Sequence, residues 1–244
     1  MKITEHENQD EIPKGKACKF LCDEEDKTIP AVLPRSLNFQ MLILGRSGSG
    51  KSTLLMSLLT RRKSPFRRKF DKVFVWCPSL DSMDDCPFDK LPQNQVFDGL
   101  TTENLDQVLS DITESGEKVL FVWDDVNNQM KEDRDLEQML ATVSHNRRHL
   151  AGKGGSVSLI MTAQVYNKVP KAIRKNSSQL IFFQPSRAEL DNIFIENALI
   201  PRKQFDAIVK HVFKSKRDFM YMNLMKGPEE MYHRNWNRLQ LSSR

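Results

Sequence analysis

The chain has 244 residues, 39% of them hydrophobic, which is material for one sizeable core or for a core with a small appendage. The opening MKITEHENQD is polar, with no apolar leader region, and no apolar run approaches the roughly 20 residues that span a bilayer, so a soluble intracellular protein without membrane attachment is expected. The formal charge of +5 is uneven, because residues 201–244 hold ten Lys and Arg against four Asp and Glu; a polyanionic partner and a solvated helical face both account for that excess.

Residues 1–35 are rich in charge and carry Pro13, Pro30 and Pro34, and they are expected to form an N-terminal arm or extension. Cys18 and Cys22 have a C-x3-C spacing, but no second close pair and no nearby His completes a metal site. With Cys77 and Cys86 they read as reduced thiols without an assigned role. From residue 36 to 200, short apolar runs at 39–44, 72–77, 118–123, 157–163 and 180–183 alternate with helix-length segments. Strands that are apolar throughout, with crossovers between them, imply an α/β fold whose mainly parallel central sheet is flanked by helices on both faces. The long connection 79–100 is expected to be irregular. Residues 201–244 are expected to form a basic helical and strand appendage packed on the core, with 203–213 helical by spacing and 219–225 favoured as a late strand.

GRSGSGKS, residues 45–52, matches G-x-x-x-x-G-K-[ST] at every fixed position. A triphosphate needs backbone N–H groups turned towards it, and a glycine-rich turn lets the main chain approach without side chains in the way. An apolar strand enters this loop and TLLMSLL leaves it with helical spacing, so the positive end of a helix dipole adds to the cradle. Gly45, Arg46, Ser47, Gly48, Ser49, Gly50, Lys51, Ser52 and Thr53 are the candidate ATP-binding set, with Lys51 on the β and γ phosphates and the Ser52 hydroxyl on Mg2+.

Further along, KVLFVWDDV delivers two adjacent carboxylates at the end of an apolar strand, the edge of a parallel sheet where ligands collect. Asp124 is the candidate Mg2+ residue, and Asp125 the group that orients and deprotonates the attacking water. SVSLIMTAQ is a third apolar strand ending on a polar group, Gln164, which in this setting senses the γ phosphate or positions the water. Arginine suits the charge of a transferring phosphoryl group, and one supplied by a neighbouring subunit raises turnover by about 10³ to 10⁵. Arg148 and Arg174 are the candidates, with Arg147 in reserve.

The glycine loop, the WDD strand end, the RH pair before an apolar strand ending in Gln, and the downstream P-x-x-I-R-x-N together resemble the genome-packaging ATPases of large DNA viruses and virophages. That group, which includes the poxvirus packaging ATPase, belongs to the FtsK/HerA superfamily of DNA-pumping motors. The resemblance implies a P-loop NTPase fold of the RecA/ASCE type, ATP and Mg2+ as cofactors, and double-stranded DNA moved without regard to sequence. It further implies a homo-oligomeric ring of five or six subunits with an arginine acting across the interface. A capsid portal or other virion protein is the implied partner, and the viral factory the implied place of work. The Glu usual after the magnesium Asp is here Asp125. A P-loop nucleotide or small-molecule kinase is the alternative, and a protein holding nucleotide as a structural ligand a third.

Overall fold

The computed structural model describes residues 21–80, 88, 90–126, 129 and 133–240. Six strands run parallel: β1 (Gln40–Leu44), β2 (Lys72–Trp76), the two-residue β3 (Val96–Phe97), β4 (Lys118–Asp124), β5 (Ser156–Ala163) and β6 (Gln179–Phe183). Three more, β7 (Phe219–Asn223), β8 (Tyr232–Arg234) and β9 (Asn237–Arg238), continue the same sheet antiparallel. The order across the sheet is β3-β2-β4-β5-β1-β6-β7-β8-β9. Every residue of β1, β5 and β6 is buried, because both faces are covered, and for that reason these strands are mainly apolar, with no exposed polar face. Their side chains still alternate between two cores. Leu42 and Leu44 enter one, and Met41 and Ile43 the other.

On the first face lie α2 (Thr102–Ile112) and α3 (Arg134–Asn146). A capping box between Thr101 and Asn104 starts α2, and Asp133 caps α3 by accepting from the N–H groups of Asp135 and Leu136. Leu105, Val108 and Ile112 of α2, with Leu136, Leu140 and Val143 of α3, form the helical stripes that bury against the sheet, each side chain contributing about 1.5–3 kcal/mol. The short α4 (Lys171–Asn176) leads into β6. After β6, α5 (Arg187–Asn197) and α6 (Arg202–Val212) complete this layer. A four-residue α7 (Pro228–Met231) precedes β8.

The second face holds α1 (Lys51–Leu59), through Leu54, Leu55 and Leu58. Ile29, Leu33 and Leu37 are buried in the same core, so the described part of the N-terminal segment packs into the body of the protein. In the 79–100 connection, where irregular chain is expected, Val96 and Phe97 add β3 to the sheet edge, and Trp76 stacks on Phe97 at 5.2 Å. Residues 81–87 and 89 of that connection, and Cys18 and Cys86, lie outside the described residues. Among the described residues no helix is long and apolar enough to cross a membrane.

The last strands have an orientation that no local pattern announces. In the antiparallel pair, Phe219 lies opposite Phe183, so β7 begins at the edge of the sheet where β6 ends. The chain from 213 to 218 therefore reaches the carboxyl edge of the parallel strands.

Candidate nucleotide site

At that edge β1 ends on Leu44, and the loop 45–50 carries the chain into α1. Gly45 extends the ladder, its N–H donating to the carbonyl of Ala163 (3.1 Å). A Cβ on Gly45 would stand 2.5 Å from Ser49 Oγ and 3.1 Å from the Phe183 ring, so the position has no room for a side chain. Gly50 caps α1 at φ 113°, a conformation that L side chains rarely adopt. No side chain caps α1, which leaves its first N–H groups available to an anion. Ser49 Oγ is also buried without a partner among the described residues, an orphan donor facing the same space.

Lys51 is only 8% exposed, and its ammonium donates to the carbonyls of Gly45 (2.7 Å) and Arg46 (3.3 Å). Burial lowers its pKa below the ordinary lysine value, while Asp125 and Asp124 pull the other way. The lysine is therefore stored folded back on its own loop, between the cradle and two carboxylates.

The carboxylates sit at the end of β4, and their placement follows from register. Asp124 lies opposite Thr162 on β5, whose hydroxyl donates to Asp124 Oδ1 (2.5 Å). On the other side, Cys77 at the end of β2 donates through Sγ to Asp124 Oδ2 (3.4 Å). Burial, with Asp124 beside it, raises the Cys77 pKa and keeps the sulfur a thiol able to donate. Asp124 is thus 5% exposed with both oxygens oriented. Asp125 turns out of the strand in the left-handed region at φ 56°, its N–H meeting Thr162 Oγ1 (3.1 Å). Its Oδ2 accepts from Gln164 Nε2 at 2.5 Å.

One cavity of about 600 Å³ is lined by Ser47, Gly48, Ser49, Gly50, Lys51, Ser52 and Thr53 from the loop and helix, and by Asp124, Asp125 and Gln164 from the facing strand ends. Gly45 and Arg46 do not line it, but their carbonyls accept from Lys51. The acids and the phosphate loop face each other because β5 alone separates β4 from β1. The residues that sequence reasoning missed are Cys77 and Thr162, together with Arg61, Arg217, Phe183 and Phe219 on the wall away from the acids. For Cys77 and Thr162 a signal existed, since each is a polar residue in the last positions of an otherwise apolar run.

The three arginines lie elsewhere. Arg147 is held by its own chain, donating to the carbonyls of Asn38 (2.7 Å) and Ser144 (2.9 Å) near the start of β1, the opposite edge of the sheet. Arg148 beside it is 42% exposed and forms one long ion pair with Asp23 (3.6 Å). Arg174 is 11% exposed, paired with Glu196, stacked over Tyr166 at 4.8 Å and bonded to the Val169 carbonyl. None of them lines the cavity of its own chain.

Ser52 and Asp124 bring one hydroxyl and one carboxylate to the same cavity. Magnesium suits such a set, because it binds through one or two protein oxygens and completes its octahedron with water and phosphate. Among the described residues no group of three or more His, Cys, Asp or Glu could hold a metal by itself.

The lowered pKa of Lys51 has a measurable consequence. Only the protonated ammonium attracts phosphate, so affinity for a triphosphate falls as pH rises through the pKa of the unliganded site, which lies below that of an ordinary lysine. Titrating nucleotide binding between neutral and alkaline pH is expected to show this loss in the wild type and not in Lys51→Arg, whose guanidinium stays charged.

The chain matches the family described as Poxvirus A32 protein over residues 33–224. No curated protein sequence matches it. Among solved structures, it is similar to B204, the DNA-packaging ATPase from Sulfolobus turreted icosahedral virus, at 15% identity and a TM-score of 0.55, over 84% of this chain and 98% of that one. The B204 genome packaging NTPase of Sulfolobus turreted icosahedral virus 2 in complex with ATP-gammaS gives 14% identity and a TM-score of 0.52, over 83% and 99%. The pCW3 conjugation coupling protein TcpA gives 15% identity and a TM-score of 0.51, over 86% of this chain and 67% of that one. These likenesses show the fold, a P-loop NTPase with a mainly parallel sheet between helices. With its phosphate loop, acidic strand end and 192 consecutive residues matched, this chain belongs to the poxvirus A32 protein family.

Proposed function

We propose that the protein is an ATP-hydrolysing motor that translocates double-stranded DNA and packages a viral genome into a preformed capsid. The observation that carries this reading is the convergence of Lys51, Ser52, Asp124, Asp125 and Gln164 on one cavity, in a member of the A32 family whose fold is that of the B204 packaging ATPase. The loop N–H groups and Lys51 hold the β and γ phosphates. Asp125, with Oδ2 fixed by Gln164, presents Oδ1 to a water and takes its proton as the water oxygen bonds to the γ phosphorus. The bond from that phosphorus to the β–γ bridging oxygen breaks, and ADP and phosphate are the products. Ser52 and Asp124 would hold Mg2+ when it is bound, and the ion would supply neutralisation of the phosphate charge.

Transfer to a small acceptor is not favoured, because the Asp125–Gln164 pair suits a water nucleophile. A homo-oligomeric ring of five or six subunits gives the arginines a role. Arg148 is partly exposed on the opposite edge with a single weak partner and is the freer candidate to reach a neighbour's phosphate, whereas Arg174 has to leave Glu196 and Tyr166. Lys203, Lys210, Lys214 and Lys216 are exposed on and after α6 without an ion pair among the described residues, as backbone contacts to duplex DNA require. The work takes place in the viral factory, with a portal or other virion protein as the docking partner.

Duplex DNA is expected to stimulate ATP hydrolysis several-fold at low salt, with the stimulation lost as salt rises and phosphate contacts are screened. Turnover indifferent to DNA at every salt concentration would remove the motor, and label passing from ATP to a small acceptor would install the kinase.

A further inference from the structure

We propose that the nucleobase and ribose lie in the strip of the cavity between α1 and β7, over a floor of Phe183 and Phe219, with the Arg217 guanidinium stacked on the base. The proposal rests on the nucleotide reading above and assigns the half of the cavity that the phosphates leave open.

Sheet order sets the direction. The acids are at the end of β4 and Gln164 at the end of β5, so the γ phosphate points towards the β4 side of the loop. The other end of the nucleotide therefore extends past β1 towards β6 and β7. The floor there is apolar and continuous with the cradle. A Cβ on Gly50 would lie 3.4 Å from Phe183 Cε1, and the Phe183 and Phe219 rings pack at 5.7 Å. On one side stand Leu54 and Ser57 of α1 with Arg61 just past its end, and on the other stands Arg217.

Arg217, like Arg61 on the same cavity, has an uncommitted side chain. Among the described residues it makes no hydrogen bond, ion pair or ring contact, and its side chain is exposed at the cavity mouth. Its backbone is nevertheless fixed. The carboxylate of Asp218, 6% exposed, accepts from the N–H groups of Lys214 (3.1 Å) and Ser215 (2.7 Å) and from Arg234 (3.0 Å), pinning the turn that enters β7. An uncommitted planar cation on a rigid turn, beside an aromatic floor, is suited to grip a nucleobase by its face. The strip offers no carboxylate or amide among the described residues, and the Ser57 hydroxyl already donates to the Leu54 carbonyl, so adenine and guanine are held with little discrimination.

Calorimetric titration with ATP, GTP and inorganic tripolyphosphate tests this. Arg217→Ala is expected to weaken ATP and GTP about ten-fold each and to leave tripolyphosphate unchanged, and Arg217→Lys, which keeps the charge and loses the plane, is expected to behave like Ala. Equal weakening of tripolyphosphate would make Arg217 a phosphate contact, and full affinity for ATP in either variant would remove it from the site; both overturn the proposal. Lys51→Ala weakens all three ligands, so a defect of the cradle is distinguishable from a defect of the base strip. A wild-type protein that binds none of them would bring down the nucleotide reading and this one together.

Discussion

Asp125→Asn is expected to bind ATP as the wild type does and to hydrolyse it about 10² to 10⁴ times more slowly, the range a positioned general base contributes. The substitution is the right one for a geometric reason. Asp125 sits at φ 56°, where Asn is among the few residues at ease, so the backbone has no cause to move. Alanine there would add roughly 1–2 kcal/mol of left-handed strain and mix a folding defect with a catalytic one. The Asn carbonyl can still accept from Gln164, preserving the hydrogen bond that orients the group. What is lost is the basic oxygen facing the water. Single-turnover hydrolysis alongside a binding titration separates the two effects, and an undiminished rate in the variant would exclude Asp125 as the base.

Lys51→Ala is expected to cut nucleotide affinity by roughly 30-fold to several thousand-fold, the equivalent of about 2–5 kcal/mol for truncating one partner of a close charge pair. The unliganded fold is expected to tolerate the change. Lys51 is buried among loop carbonyls with its pKa lowered, so its removal relieves a desolvation cost, and thermal unfolding without nucleotide stays level or rises. Unfolding at a lower temperature would instead give Lys51 a structural role. The same variant tests the arginines. Mixed with Arg148→Ala or Arg174→Ala, it provides intact arginines for sites that retain Lys51, and partial recovery of turnover identifies the residue that crosses between subunits. No recovery at any mixing ratio would exclude that arrangement.

The parts of the site legible in one dimension are those whose chemistry is local. A glycine-rich turn before a helix is recognisable because the φ of 113° at Gly50 and the crowding at Gly45 select glycine at those positions directly. Asp124 and Asp125 are legible because an apolar strand ending in two acids is conspicuous, and Gln164 because it ends another such strand. Cys77 and Thr162 stand out only as polar residues at the ends of apolar runs, and their partner is decided when β2, β4 and β5 are set side by side and both side chains meet Asp124.

The amino-acid sequence by itself determined that this protein has a phosphate loop, acidic strand ends and buried parallel strands, since each depends on backbone conformation, burial and spacing within a few residues. Only the tertiary structure decided which strands are neighbours: that β5 separates the loop from the acids, that Arg147 and Arg174 are occupied within their own chain, and that β7 runs antiparallel and brings Arg217 and Phe219 to the cavity of the phosphate loop. The reason is physical. An apolar run specifies that a strand is buried, but its partner and direction are settled by the packing of the whole sheet, through contacts between residues far apart in the chain.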